Sequence, residues 1–141
     1  MSANSRYTVA VHVLTLLAHS GGQALSSAYI AGSVNTNPVV IRRLMGALRI
    51  AKLVASQAGP TGGWRLSRPP QGITLRDIYR AVEGGALFPL PPKTPNPRCP
   101  VGGMIQQTLE RHIQAAQFAL EKNLERVTIA DLVQEVKSNH A

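Results

Sequence analysis

The first 76 residues of this 141-residue chain contain no aspartate and no glutamate. They carry eight cations, Arg6, Arg42, Arg43, Arg49, Lys52, Arg65, Arg68 and Arg76, whereas residues 77–141 hold seven charges of each sign. The entire net charge of +8 therefore belongs to the acid-free half. An asymmetry of this kind points to a polyanionic partner, either nucleic acid or an anionic membrane. The chain also lacks a long apolar run and a basic amphipathic helix with bulky anchors, which excludes the membrane. Its single cysteine, Cys99, excludes an intrachain disulfide framework and fits a reducing, cytoplasmic setting. Aromatic residues make up only 4%, so the core has to be aliphatic. There is no HExxH, no CxxC and no nucleophile beside a base in sequence. The histidines at 12, 19, 112 and 140 stand apart, so neither a metal site nor an enzyme is expected.

What the chain does have is a continuous arrangement over residues 25–66. Ser26 or Ser27 can cap a first helix over 28–34, because a serine hydroxyl accepts from a free N–H of the first turn. Asn35-Thr36-Asn37-Pro38 breaks that helix, with Asn35 suited to a left-handed conformation. Asn37 caps a second helix, and Pro38 fits its first position, where no N–H is needed. Ala31 is small where the two helices cross. Ile30, Val34, Ile41, Leu44 and Leu48 are spaced to share one core, leaving Val39, Arg42, Arg43, Gly46 and Arg49 outward. Strands over 53–56 and 64–67, joined by the turn 59–63, then form a hairpin. The GPTGG turn is no phosphate loop, since it lacks Gly-Lys-Ser/Thr and opens no helix. Helix, turn, helix and glycine-tipped hairpin make a winged helix-turn-helix, a module that sets one helix into the DNA major groove.

The rest of the chain frames this module. Residues 5–20 read as a helix whose stripe of Tyr7, Ala10, Leu14 and Leu17 covers the module. Its apolar stretch mimics a secretory leader only loosely, because His12 and Thr15 interrupt it. Thr74 and Asp77 form a capping box for a helix to about residue 83, with Leu75, Ile78 and Val82 inward. Six of the ten prolines fall within 86–100, which makes that stretch an extended linker. A long helix follows over 102–126, with Ile105, Leu109, His112, Ala116, Leu120 and Leu124 along one stripe. It is too long for the winged unit to cover, so its stripe is expected to meet a second copy. Thr128, with Asp131, caps a last short helix through residue 136, beyond which the tail frays. The fold class expected is mainly α with a small β-wing. The divisions are a winged helix-turn-helix domain over 1–85, a Pro-rich linker over 86–100, and a dimerisation helix with a short C-terminal helix over 101–141.

Several stretches together are similar to the Rrf2-type (BadM-like) winged-helix transcriptional regulators. They are Tyr7-Thr8-Val9-Ala10, the Ser-Ser-Ala-Tyr-Ile-Ala of 26–31, the Pro-Val-Val-Ile-Arg-Arg-Leu of 38–44 and the Gly-Gly-Trp-Arg-Leu of 62–66. Ile73-Thr74-Leu75-Arg76-Asp77-Ile78, Val82-Glu83-Gly84 and Cys99-Pro100-Val101-Gly102 extend the likeness to about residues 6–126. The resemblance implies a dimeric bacterial DNA-binding regulator, usually a repressor, with a winged domain and a crossing dimerisation helix. Some members hold an iron–sulfur cluster on three closely spaced cysteines before the long helix. Here Cys99 is alone, and a cluster needs about four ligands, so no cofactor is expected. Members often carry a basic residue just before the first wing glycine, where this chain has Ala58. That shifts the weight of DNA contact to Arg65 and the second helix of the motif.

The function expected is that of a homodimeric, sequence-specific regulator of transcription acting on a double-stranded DNA operator. The DNA-binding candidates are Ser27, Asn37, Val39, Val40, Arg42, Arg43, Arg49, Gly62, Gly63 and Arg65. Arg42, Arg43 and Arg49 suit phosphates or guanine edges, Ser27 and Asn37 suit backbone phosphates, and Arg65 suits a wing contact. Cys99, between Arg98 and the start of the long helix, is the candidate redox residue, because a nearby cation and a helix N-terminus lower a thiol pKa. The competing reading is a winged module that binds protein rather than DNA.

Overall fold

The computed structural model describes residues 3–140, with side-chain burial from Ser5 onward. The elements are α1 (Ala3–His19), α2 (Ser27–Val34), α3 (Pro38–Ile50), β1 (Val54–Gln57), β2 (Gly63–Leu66), α4 (Leu75–Val82), α5 (Ile105–Leu124) and α6 (Ile129–His140). They form two compact units. One runs through Gly84 and resumes at Leu124, and the other is Gly85–Asn123.

In the first unit the helices form where the caps and apolar spacing require them. Ser26 accepts from the Tyr29 N–H at 3.1 Å and starts α2, so Ser26 rather than Ser27 is the cap. Asn35 ends α2 with φ 67°, in the left-handed region. The Asn37 side chain accepts from the Val40 N–H at 3.0 Å and starts α3, with Pro38 at the first position. The core joins Ala10, Val13, Leu14 and Leu17 of α1, Ile30 and Ala31 of α2, and Ile41, Leu44, Met45 and Leu48 of α3. Met45 is fully buried, a position outside the expected core set. Tyr7 packs edge-to-face on Tyr79 at 5.9 Å and donates its hydroxyl to the Leu75 carbonyl at 3.1 Å. Burial pushes its pKa up to about 12.

The two strands pair antiparallel, Val54 opposite Leu66 and Gln57 opposite Gly63, one residue later on β1 and one earlier on β2 than expected. Lys52 bridges α3 to β1 with φ 62°, an unforeseen left-handed residue. The hairpin is tied back to the helices, for Leu25 and Trp64 exchange backbone hydrogen bonds at 2.9 and 2.8 Å.

The C-terminal helix departs most from expectation. It runs to His140 rather than fraying after residue 136, and it packs in the first unit, where Leu132 and Val133 sit against the core. The grouping of α6 with the long helix in one segment over 101–141 is therefore corrected. Both expected capping boxes form. Thr74 and Asp77 bond reciprocally at 3.0 and 2.9 Å, and Thr128 and Asp131 at 3.1 and 2.9 Å. A short antiparallel bridge joins the two caps, with Leu75 donating to Val127 and Ile129 to Ile73, both at 2.9 Å. Ile73 and Ile129 beneath it are fully buried, which anchors α6 to α4.

In the second unit, residues 85–104 form turns and irregular structure, as the prolines dictate. Helix α5 then spans 20 residues, and none of them is buried.

Candidate nucleic-acid interface

Helix α3 is amphipathic in a way that separates core from charge. Ile41, Leu44, Met45 and Leu48 are buried, while Val39, Arg42, Arg43 and Arg49 are exposed and Gly46 is half-buried. Among the described residues, none of these three arginines has an ion-pair partner. Two other cations of the acid-free half are neutralised by acids that arrive later in the chain. Arg68 lies 3.8 Å from Asp77, and Arg76 bonds Glu125 at 2.8 Å. Folding thus pairs the cations behind the wing and leaves those on α3 free. Unpaired guanidiniums on a helix lacking any acid make a surface suited to phosphates and base edges.

Arg65 on β2 is exposed, as a wing contact requires. Gly62 and Gly63 are required by the wing itself. A side chain at Gly62 would strike the Gln57 carbonyl, and one at Gly63, where φ is 144°, the Leu25 carbonyl. Ser27 also acquires a structural task, because its Oγ accepts from Trp64 Nε1 at 3.1 Å and ties the wing to α2. Asn37 is exposed, and its Oδ1 is taken by the cap, leaving its amide N–H groups to donate. Val40 is half-buried and borders a cleft rather than the open face.

Two neighbours of this surface were not foreseen. Tyr29, 61% exposed on α2, lines a cleft with Ser26 and with Gln57 and Thr61 of the wing. An aromatic on the polar side of the first motif helix was the available signal. Arg6 of α1 shares a second cleft with Val40 and Arg43, which no local pattern announces.

The histidines are less scattered than their spacing suggests. His12, His19 and His140 border one groove of about 680 Å³ between α1 and α6, lined also by Leu16, Leu132 and Val136. His12 Nε2 lies 2.9 Å from Ser33 Oγ. Among the described residues, no three His, Cys, Asp or Glu side chains are placed to hold a metal ion.

In the second unit, Ile105, Leu109, His112 and Ala116 of the expected stripe are exposed, and Leu120 and Leu124 are half-buried. Phe118, 65% exposed, adds an apolar side chain that the stripe omitted. Cys99 is exposed in a turn where its own N–H donates to the Asn96 carbonyl at 3.2 Å. Its pKa is lowered, first by the Gly102 backbone N–H and then by that of Val101. The source is therefore the turn itself rather than Arg98 or a helix terminus, since α5 begins only at Ile105.

A winged helix-turn-helix with an unpaired, acid-free arginine face defines a DNA-binding protein. The comparisons agree. Residues 3–135 match the Rrf2 family, described as "Iron-dependent Transcriptional regulator", and the chain belongs to that family. It is 40% identical over 130 residues to YwnA of Bacillus subtilis (strain 168), whose name places it among HTH-type transcriptional regulators. That match covers 92% of this chain and 96% of YwnA. Among solved structures it resembles CymR (YrzC), the global cysteine regulator of B. subtilis, at 25% identity and a TM-score of 0.67, over 96% of both chains. It also resembles T. potens IscR, at 25% identity and a TM-score of 0.69, over 100% of this chain and 90% of that one. The protein is a DNA-binding regulator of transcription and not an enzyme, which decides against the protein-binding module. No helix among the described residues is long and apolar enough to cross a membrane. The residues present do not fit an iron–sulfur cluster, because Cys99 is the only cysteine and has no second thiolate to join it in the chain.

Proposed function

We propose that the protein is a cytoplasmic homodimer that represses transcription by placing two copies of α3 in successive major grooves of a near-palindromic operator. The observation that carries this reading is the exposed trio Arg42, Arg43 and Arg49, unpaired on the outer face of a helix whose other face is buried. Arg42 and Arg43 contact guanine edges or phosphates, Arg49 and Asn37 contact phosphates, and Arg65 adds the wing contact. Ser27 can still donate its hydroxyl proton to a phosphate while accepting from Trp64. Dimerisation through α5 is supported by its 20 residues without a buried side chain and by the exposed Ile105, Leu109 and Phe118. The protein works without a cofactor. Selection of bound duplexes from a random pool tests the whole reading. A motif with two related halves, about 10–10.5 base pairs apart, is expected. A single unsymmetric half-site would overturn the dimer, and an unenriched pool would overturn specific readout.

The exposed thiol of Cys99, made more acidic by its turn, supports a redox response. A peroxide oxidises the thiol to a sulfenic acid and is reduced to water. A second thiol, from the partner chain or from a small molecule, then displaces a further water to give a disulfide. Operator affinity is expected to fall on peroxide treatment and return with reductant in the wild type, and to do neither in Cys99→Ser. Equal behaviour of the two proteins would make Cys99 a structural residue.

A further inference from the structure

We propose that Arg6, on the core helix α1, joins Arg43 in holding one phosphate of the DNA backbone beside the groove that α3 enters. This rests on the reading of α3 as the helix that enters DNA. Arg6 lies near the start of α1 (Ala3–His19), far in sequence from the helix-turn-helix, yet it lines one cleft with Val40, Arg43 and Leu44 of α3. The cleft measures about 260 Å³. Arg6 is half-buried and Arg43 exposed, and neither has an ion-pair partner among the described residues. No acid precedes Asp77 in the chain. Two guanidiniums in one concave site without a counter-charge repel each other, and an anion between them reverses the sign of that interaction. Guanidinium forks match the tetrahedral oxygens of a phosphate diester and suit no neutral ligand as well. The anion is a DNA phosphate rather than a free one because the cleft borders α3, whose exposed Arg42 and Arg49 offer further unpaired charge to the same polyanion. A phosphate passing along that edge of α3 meets Arg43 first and Arg6 behind it.

The contact has a different consequence from those made by α3 alone. Arg6 belongs to the helix that covers the core, so a phosphate shared between Arg6 and Arg43 ties the body of the domain to the strand. Such a contact fixes the angle of the reading helix and carries no sequence information of its own.

The test uses the full chain, with affinity measured by fluorescence anisotropy on an operator duplex and on an unrelated duplex of equal length across a salt series. Because Arg6 and Arg43 share one phosphate, either alone keeps it neutralised, and only Arg6→Gln combined with Arg43→Gln removes it, lowering the log–log salt slope by about 0.9. The advantage of Arg43→Gln over that double variant is therefore expected to shrink about 3.5-fold between roughly 50 and 200 mM salt, by the same factor on both duplexes. Arg6→Lys combined with Arg43→Gln keeps one charge at the site and is expected to keep the slope of Arg43→Gln. Thermal unfolding of each variant reports whether α1 is intact. A double variant with the slope of Arg43→Gln alone would overturn the proposal while leaving the reading of α3 in place. So would Arg6→Lys with Arg43→Gln losing slope as the double variant does, since the residue would then be structural. A wild-type protein with no salt-dependent affinity would instead remove the DNA reading on which the proposal rests.

Discussion

Helix α3 buries Ile41, Leu44, Met45 and Leu48 within its own unit and leaves three arginines outside, whereas no residue of the longer α5 is more than half-buried. The difference separates two kinds of surface. Besides Val39 and Ile50, what α3 leaves exposed is charge, which water solvates until a phosphate displaces it. What α5 leaves exposed includes Ile105 at 43%, Leu109 at 49% and Phe118 at 65%, which water does not reward. Most helical stability in proteins comes from packing an amphipathic face, which the proposed dimer supplies to α5. One helix packs its apolar side into its own unit, and the other leaves apolar side chains for the second copy proposed above.

The comparison breaks first, and by the largest effect, at α5. Leu109→Asp combined with Leu120→Asp is expected to give monomers in sedimentation experiments. Loss of the linked second half-site should then weaken operator binding by about 10²–10⁴-fold. A surviving dimer would place the interface elsewhere. Next in size is the inner face of α3. Leu48→Ala is expected to cost about 2–5 kcal/mol in urea unfolding, while Ile50→Ala, at an 83% exposed position of the same helix, should cost within about 0.5 kcal/mol. Equal losses would contradict the division of faces. The twin caps come third. Thr74→Ala and Thr128→Ala should each cost about 1 kcal/mol, and a neutral result for Thr128→Ala would mean that α6 is not held through its first turn. The smallest effect is chemical. Because the turn stabilises the Cys99 thiolate, alkylation should reach its half-maximal rate at a pH below that of an ordinary free cysteine. An ordinary midpoint would remove the turn as an activating device.

The parts of the fold legible in sequence were those set by neighbours along the chain. Asn35, Asn37 and Pro38 specify a left-handed stop, a cap and a helix start without help from elsewhere, and each stands where its chemistry requires. Thr74 with Asp77 and Thr128 with Asp131 did the same for α4 and α6. Contacts between distant residues were not legible. The docking of α6 depends on Ile73 meeting Ile129 beneath a bridge, and nothing local to either residue encodes that pairing. The approach of Arg6 to Arg43, the gathering of three histidines in one groove, and the bond from Trp64 to Ser27 belong to the same class. The wing glycines were legible as glycines but not in their role. Gly63 is required by the passing Leu25 backbone, and only the folded chain brings that backbone near.

The central claim is that the outer face of α3 reads DNA through unpaired arginines. Its most direct test is operator affinity as a function of salt for the wild type and for Arg42→Ala with Arg43→Ala. The wild type should weaken along a straight log–log line, with a slope near −0.9 for each phosphate neutralised. The double variant should lose about 1–3 kcal/mol for each arginine that contacts a base and show a shallower slope where a phosphate contact is lost. An affinity indifferent to salt, or a double variant that binds the operator as tightly as the wild type, would contradict the claim.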